Sequence, residues 1–152
     1  MPAGTYAIVR YIPDPARDEP INIAVIASGP AGAVFKTDPV ALDRMRVCDP
    51  YVDAATIPYF TEYAERLVSG PILRFNIQGP EEIQPWSPAF LDALRDQLPE
   101  RFTLGRVLFI EYADESRAAM EDAAADLVIR LVKPITRKPA FPPEIPERRL
   151  SK

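Results

Sequence analysis

Eighteen prolines in 152 residues set the first limit on what this chain can fold into. That is more than twice the usual share of roughly 5%. Each proline fixes φ and removes a backbone donor, so it belongs at helix starts, in turns or at sheet edges. Long helices and long ladders cannot run through such a sequence. The expected elements are short, and the prolines mark where they end.

Residues 5–12 (TYAIVRYI) are apolar, aromatic and β-branched, which predicts a strand. PDPARDEP (13–20) is a stiff loop, and INIAVIAS (21–28) a second strand. GPAG (29–32) turns into a third strand, AVFK, which makes a hairpin with the second. Asp38 before Pro39 is an N-cap followed by proline at the first helical position, predicting a helix over 39–47. Asp49-Pro50 repeats that signal, and Pro58 breaks or restarts the second helix. Phe60, Tyr63, Ala64, Leu67 and Val68 then share one helical face.

ILRFNIQ (72–78) alternates, with Leu73, Phe75 and Ile77 on one side of a strand. GPEEIQPWSP is expected as a loop, and Ser87-Pro88 as the cap of a short helix. Residues 102–112 predict one long strand, with Gly105 as a candidate bulge. Asp114 is expected to cap a helix over 115–133, with Met120, Ala124, Leu127 and Leu131 as its buried stripe and Val128 and Val132 widening it. The order predicts an α+β fold, a mostly antiparallel sheet of about five strands with helices packed on one face. Residues 1–133 form a single domain. Residues 134–152 hold five prolines and no periodicity, and predict a proline-rich, basic, extended tail.

The chain has no histidine, which removes Ser-His-Asp and Cys-His triads and every histidine-bearing zinc site. Its one cysteine, Cys48, allows neither an intramolecular disulfide nor a four-cysteine site, and its setting predicts a small core residue. Acid–base chemistry near neutral pH falls to a carboxylate, lysine, tyrosine or cysteine with a shifted pKa. No apolar run reaches the roughly 18 residues of a membrane span, and no signal peptide is visible, so a cytoplasmic protein is expected. The net charge is −4, but residues 136–152 carry +3, leaving −7 on the rest. An acidic body argues against nucleic acid as the main partner. GPAGAVFKT lacks the glycine directly before lysine that a phosphate-binding loop needs, since Phe35 stands there. No cofactor motif is present. Asp14, Asp18 and Glu19 are the remaining carboxylates for a Mg²⁺ ion, but loop carboxylates are ordinarily solvated.

The polar residues of the first strand–loop–strand unit stand out. If the two strands pair antiparallel, Arg10 lies opposite Asn22, and Glu19 can reach back to the guanidinium. Arg10, Asp14, Arg17, Glu19 and Asn22, with Tyr11 nearby, then form one constellation. It either pins a loop that prolines cannot hydrogen-bond, or binds an anionic group or a partner's backbone. Trp86, between Pro85 and Ser87, is either a lid over the core or an anchor for a partner.

The stretch YAIVRYIPDPARDEPINIAVI resembles the N-terminal signature of the bacterial domain of unknown function family 3037. The matching positions are Tyr6, Arg10, Tyr11, Pro13, Asp14, Arg17, Glu19 and Asn22. The strand at 104–112 and the helix ending in LV-K also look like that family, while the middle of the chain matches poorly. Pro20 and Ile23 depart from its pattern, and the basic tail looks extra. The resemblance implies no activity. It implies an accessory role beside kinases resembling the HipA toxin, near which such genes are often found. The expectation is a non-enzymatic module that binds such a kinase through the first hairpin, Trp86 or the tail. The alternative is a small-molecule or phosphate site built on Arg10, Glu19 and Asn22.

Overall fold

Three runs of β-branched and apolar residues meet around the N-terminal strand. In the computed structural model, which describes residues 2–13, 20–49, 52–53 and 55–132, β1 (Ala3–Tyr11) lies inside the sheet. β2 (Ile21–Gly29) pairs with it antiparallel on one side, and β3 (Gly32–Thr37) continues from β2 as a hairpin. The turn is Pro30-Ala31, closed by Gly32 at φ +112°, a conformation in which a side chain would be strained.

On the other side of β1 lie β6 (Phe102–Leu104) and β7 (Leu108–Glu111), both antiparallel. The expected long strand is thus split in two. Between the pairs Val9–Leu104 and Tyr6–Leu108, β1 spends two residues while the other strand spends three, Gly105 to Val107. This is the bulge expected at Gly105. A second irregularity lies on the opposite side of β1, where Val9 faces Ala24 but Arg10 faces Asn22, leaving Ile23 as the extra residue.

The fold is α+β, with a mostly antiparallel five-stranded sheet as expected. A small second sheet joins β4 (Ile72–Asn76) to β5 (Gly79–Ile83). GPEEI was expected as loop because it has no apolar alternation. Pairing with β4 makes it a strand, and Arg74 sits directly opposite Glu81 at 3.5 Å.

The helices divide between the two faces of the sheet rather than gathering on one. α2 (Thr56–Val68) and α3 (Phe90–Arg95) cover the face of Ala7, Val9 and Tyr11, through Phe60, Ala64, Val68, Phe90, Leu91 and Leu94. α4 (Arg117–Leu127) covers Val25, Ala27 and Val34 on the other face, through Met120, Ala124 and Leu127. α1 (Pro39–Cys48) sends Met45 to the first core and Ala41 to the second. The physical reason lies in β2, which is buried at every position except Asn22. A continuous apolar run needs cover on both sides.

Local signals set the helix starts. Asp38 accepts from the Ala41 amide at 3.1 Å, and Pro39 opens α1 as expected. Asp49 does not cap α2, which begins at Thr56 with Pro58 in its first turn, where a missing amide costs nothing. Ser116 caps α4, accepting from Ala119, while Asp114 accepts from the Ser116 amide just outside. After Leu127 the helix widens into a π-helical turn, Val128–Val132. The wider turn brings Val128 and Val132 onto the sheet, and Leu131, expected in the stripe, is exposed. Cys48 is exposed at the end of α1 rather than in the core. Among the described residues no helix is long and apolar enough to cross a membrane. The tail expected at 134–152 lies outside the described residues.

Candidate functional site

The two irregularities in the ladders flank one side chain, Arg10. Tyr6, Ile8 and Arg10 alternate onto the face of β1 that α4 shares, but α4 lies over β2 and β3 and leaves the end of this strip open. Arg10 Nε donates to Asn22 Oδ1 at 3.2 Å, the pairing expected from the sequence. Asn22 Nδ2 in turn donates to the Leu131 carbonyl at 3.0 Å, which turns the amide oxygen toward the arginine. The π-helical turn therefore orients Asn22, and Asn22 orients Arg10.

The guanidinium is also held from the side of β6 and β7. A Cβ on Gly105 would lie 3.2 Å from Arg10 Cζ and 3.3 Å from one terminal nitrogen, so the arginine lies against the bare glycine. The bulge there is fixed by two bonds. The Gly105 amide donates to the Ile8 carbonyl at 2.8 Å, and Arg95, whose Nη1 pairs with Asp92 at 2.7 Å, donates from Nη2 to the Gly105 carbonyl at 2.7 Å. The opposite bulge is held as well, because Thr37 Oγ1 donates to the Ile23 carbonyl at 2.5 Å.

Tyr11, expected beside Arg10, points to the opposite face, into the first core. It packs on Phe102 with ring centroids 5.1 Å apart, and its hydroxyl donates to Asp49 Oδ2 at 2.6 Å. Arg101 donates to the same oxygen at 3.0 Å and also to the Pro13 carbonyl. Arg101 holds φ at +78°, a strained conformation for a non-glycine residue. This group clasps the start of the proline loop, the task expected of the Arg10 constellation. The sequence hid it because Asp49-Pro50 imitates a helix cap and Arg101 lies 90 residues from Tyr11. Burial pushes the Tyr11 pKa up, and the bond to Asp49 adds to the shift.

Asp14, Arg17 and Glu19 lie outside the described residues, so the expected constellation reduces to Arg10 and Asn22. Trp86 is exposed, but it follows Pro85, whose carbonyl accepts from Ser28 Oγ. Ser28 and Asn22 are six residues apart on β2, which is about 20 Å of strand. Trp86 therefore belongs to the far end of the sheet.

A second buried hydroxyl gives a measurable alkaline limit. Tyr112 donates to the Ser28 carbonyl at 2.9 Å, and burial pushes its pKa up to about 12. The unfolded phenol ionises near 10. The protonated fold is thus fully favoured below about pH 10, and that advantage drains away as pH rises toward about 12. Denaturation midpoints should fall over that window, by the equivalent of roughly 2 kcal/mol, and Tyr112→Phe should flatten the fall. An equally steep decline in the variant would place the loss elsewhere.

No family model, no curated protein and no solved structure matches the chain.

Proposed function

We propose that the protein is a non-enzymatic binding module for a protein partner, and that it docks through one face of the β4–β5 hairpin. The observation behind this reading is the apolar group Leu73 and Phe75 on one face of β4 and Ile77 in the turn that follows, not in the strand as expected, which are 52%, 72% and 104% exposed. The hairpin is anchored through its other face, where Ile72 and Ile83 are buried and Arg74 pairs with Glu81. Three large apolar side chains therefore face water without serving the fold. Exposed apolar surface of this kind is characteristic of interaction sites. Glu82 stands opposite Leu73 and puts a carboxylate at the edge of the group, which suits an apolar partner patch with a cation at its rim.

The partner we propose is a serine/threonine kinase resembling the HipA toxin, in a bacterial cytoplasm. That identity rests on the likeness of residues 6–26 to family 3037. The sequence offers the first hairpin, Trp86 or the tail as docking elements, and the β4–β5 face is proposed beside them. Coexpression with a HipA-like serine/threonine kinase should give a complex that co-purifies. Leu73→Ser, Phe75→Ser and Ile77→Ser together should weaken it about 100-fold, with no loss in melting temperature. Binding unchanged in the triple variant would remove the hairpin from the interface. The kinase passing through alone would remove the partner.

A further inference from the structure

The open strip beside β1 has the chemistry of a ligand site. It forms a cleft of about 400 Å³ lined by Tyr6, Ile8, Arg10, Gly105, Arg106 and Leu108. That volume lies within the range of small-molecule sites. Two of the lining residues are arginines, and none is acidic. Lys36, Arg74, Arg95, Arg101, Arg117 and Arg130 each have a carboxylate within 4.0 Å; among the described residues Arg10, Arg44, Arg46, Arg66 and Arg106 have none, and of these Arg10 and Arg106 line one cleft together. In a chain of net charge −4, two such cations in one apolar-walled cleft call for an anion.

The Arg10 side chain is also prepared for one. Its Nε is used by Asn22 and its flat side lies on Gly105, and among the described residues nothing takes the terminal nitrogens, which suits them to a ligand. A guanidinium fixed this way presents two parallel donors to an oxyanion at little entropic cost. Tyr6, Ile8 and Leu108 supply apolar wall for whatever carries the charge.

We infer that this cleft binds a small organic oxyanion, a phosphate or carboxylate on an apolar body, gripped by Arg10 and Arg106. Asn22 is a positioning residue, acting through Arg10. The site lies on the face of the sheet opposite the core that holds the β4–β5 hairpin, so it stands or falls independently of the proposed docking surface.

Titration of the full chain with phenyl phosphate, benzoate and inorganic phosphate tests the inference, followed by the NMR signals of the arginine Nε–H groups and the Gly105 amide. Phenyl phosphate or benzoate should bind with a Kd of about 1 mM or tighter and move the Arg10 Nε–H signal. Preference between the two tells phosphate from carboxylate. Inorganic phosphate, lacking the apolar body, should bind about tenfold more weakly. Arg10→Gln and Arg106→Gln should each cost about tenfold or more in affinity, and Asn22→Ala should shift the Arg10 signal even without ligand. Arg106 is exposed, so its replacement keeps the fold and the test stays decisive if Arg10→Gln is unstable. No signal movement with either organic anion overturns the site. So does full affinity in Arg106→Gln, or inorganic phosphate binding as tightly as phenyl phosphate.

Discussion

Phe60→Ala should cost about 3–5 kcal/mol of unfolding free energy, the largest loss expected from any single side chain here. Phe60 is 1% exposed, and its ring lies flat on Phe102 with centroids 3.8 Å apart and planes 4° apart. Phe35 meets it edge-on at 6.2 Å. One side chain of α2 thus joins β3 at one margin of the sheet to β6 at the other. Truncation opens a cavity between elements that cannot all move inward together, which places the cost in the upper range. Native domains hold only about 5–15 kcal/mol in total, so roughly a fifth of the stability or more is at stake. Tyr59, 60% exposed and stacked on Tyr63, is the control. Tyr59→Ala should cost under about 1 kcal/mol. Urea denaturation of both variants makes the comparison, and equal losses would mean that α2 is not the clamp described.

Asp49→Ala should cost about 3 kcal/mol, because three consequences coincide. The buried Tyr11 hydroxyl loses its acceptor, Arg101 loses its carboxylate, and the strained backbone at Arg101 loses a contact that holds it. Asp49→Asn keeps an acceptor for Tyr11 and should cost roughly half as much. Tyr11→Phe, which removes only the hydroxyl, should cost about 1 kcal/mol. In double-mutant cycles the losses should fall well short of additive. Additive losses would show that the three residues do not act as one clasp. Proteolysis offers a second reading, since the clasp holds the Pro13 end of the loop and its removal should quicken cleavage there.

Much of the architecture was legible because local chemistry and tertiary need agree. Asp38-Pro39 states a helix start that the packing confirms through Ala41 and Met45. The pairing of Arg10 with Asn22 could be foreseen because two strands and their connecting loop fix the register within a few residues. The failures share another cause. β5 is a strand because Arg74 and the β4 backbone face it, and nothing within GPEEI says so. Asp49 was hidden by a proline that makes it look like a cap, although its partners are remote in sequence. Arg106 drew no notice because only the bulge at Gly105 brings it to the cleft beside Arg10. Leu73, Phe75 and Ile77 alternate as a core face would, and only the structure reveals that no described residue covers them.

The place of β1 inside the sheet also sets an order of events during synthesis. Its partner on one edge, β2, ends at residue 29, whereas its partners on the other edge are residues 102–111. A ribosome adds roughly 5–20 residues per second, so β1 waits several seconds with one row of amides and carbonyls unclaimed. Loop-closure entropy makes that late pairing slow even once the chain is long enough. Any sheet that β1, β2 and β3 form over this interval has an open edge, the form in which another chain can pair with it. Dependence on a chaperone during translation, rather than after release, is the consequence to expect of a first strand that must be closed by nearly the last.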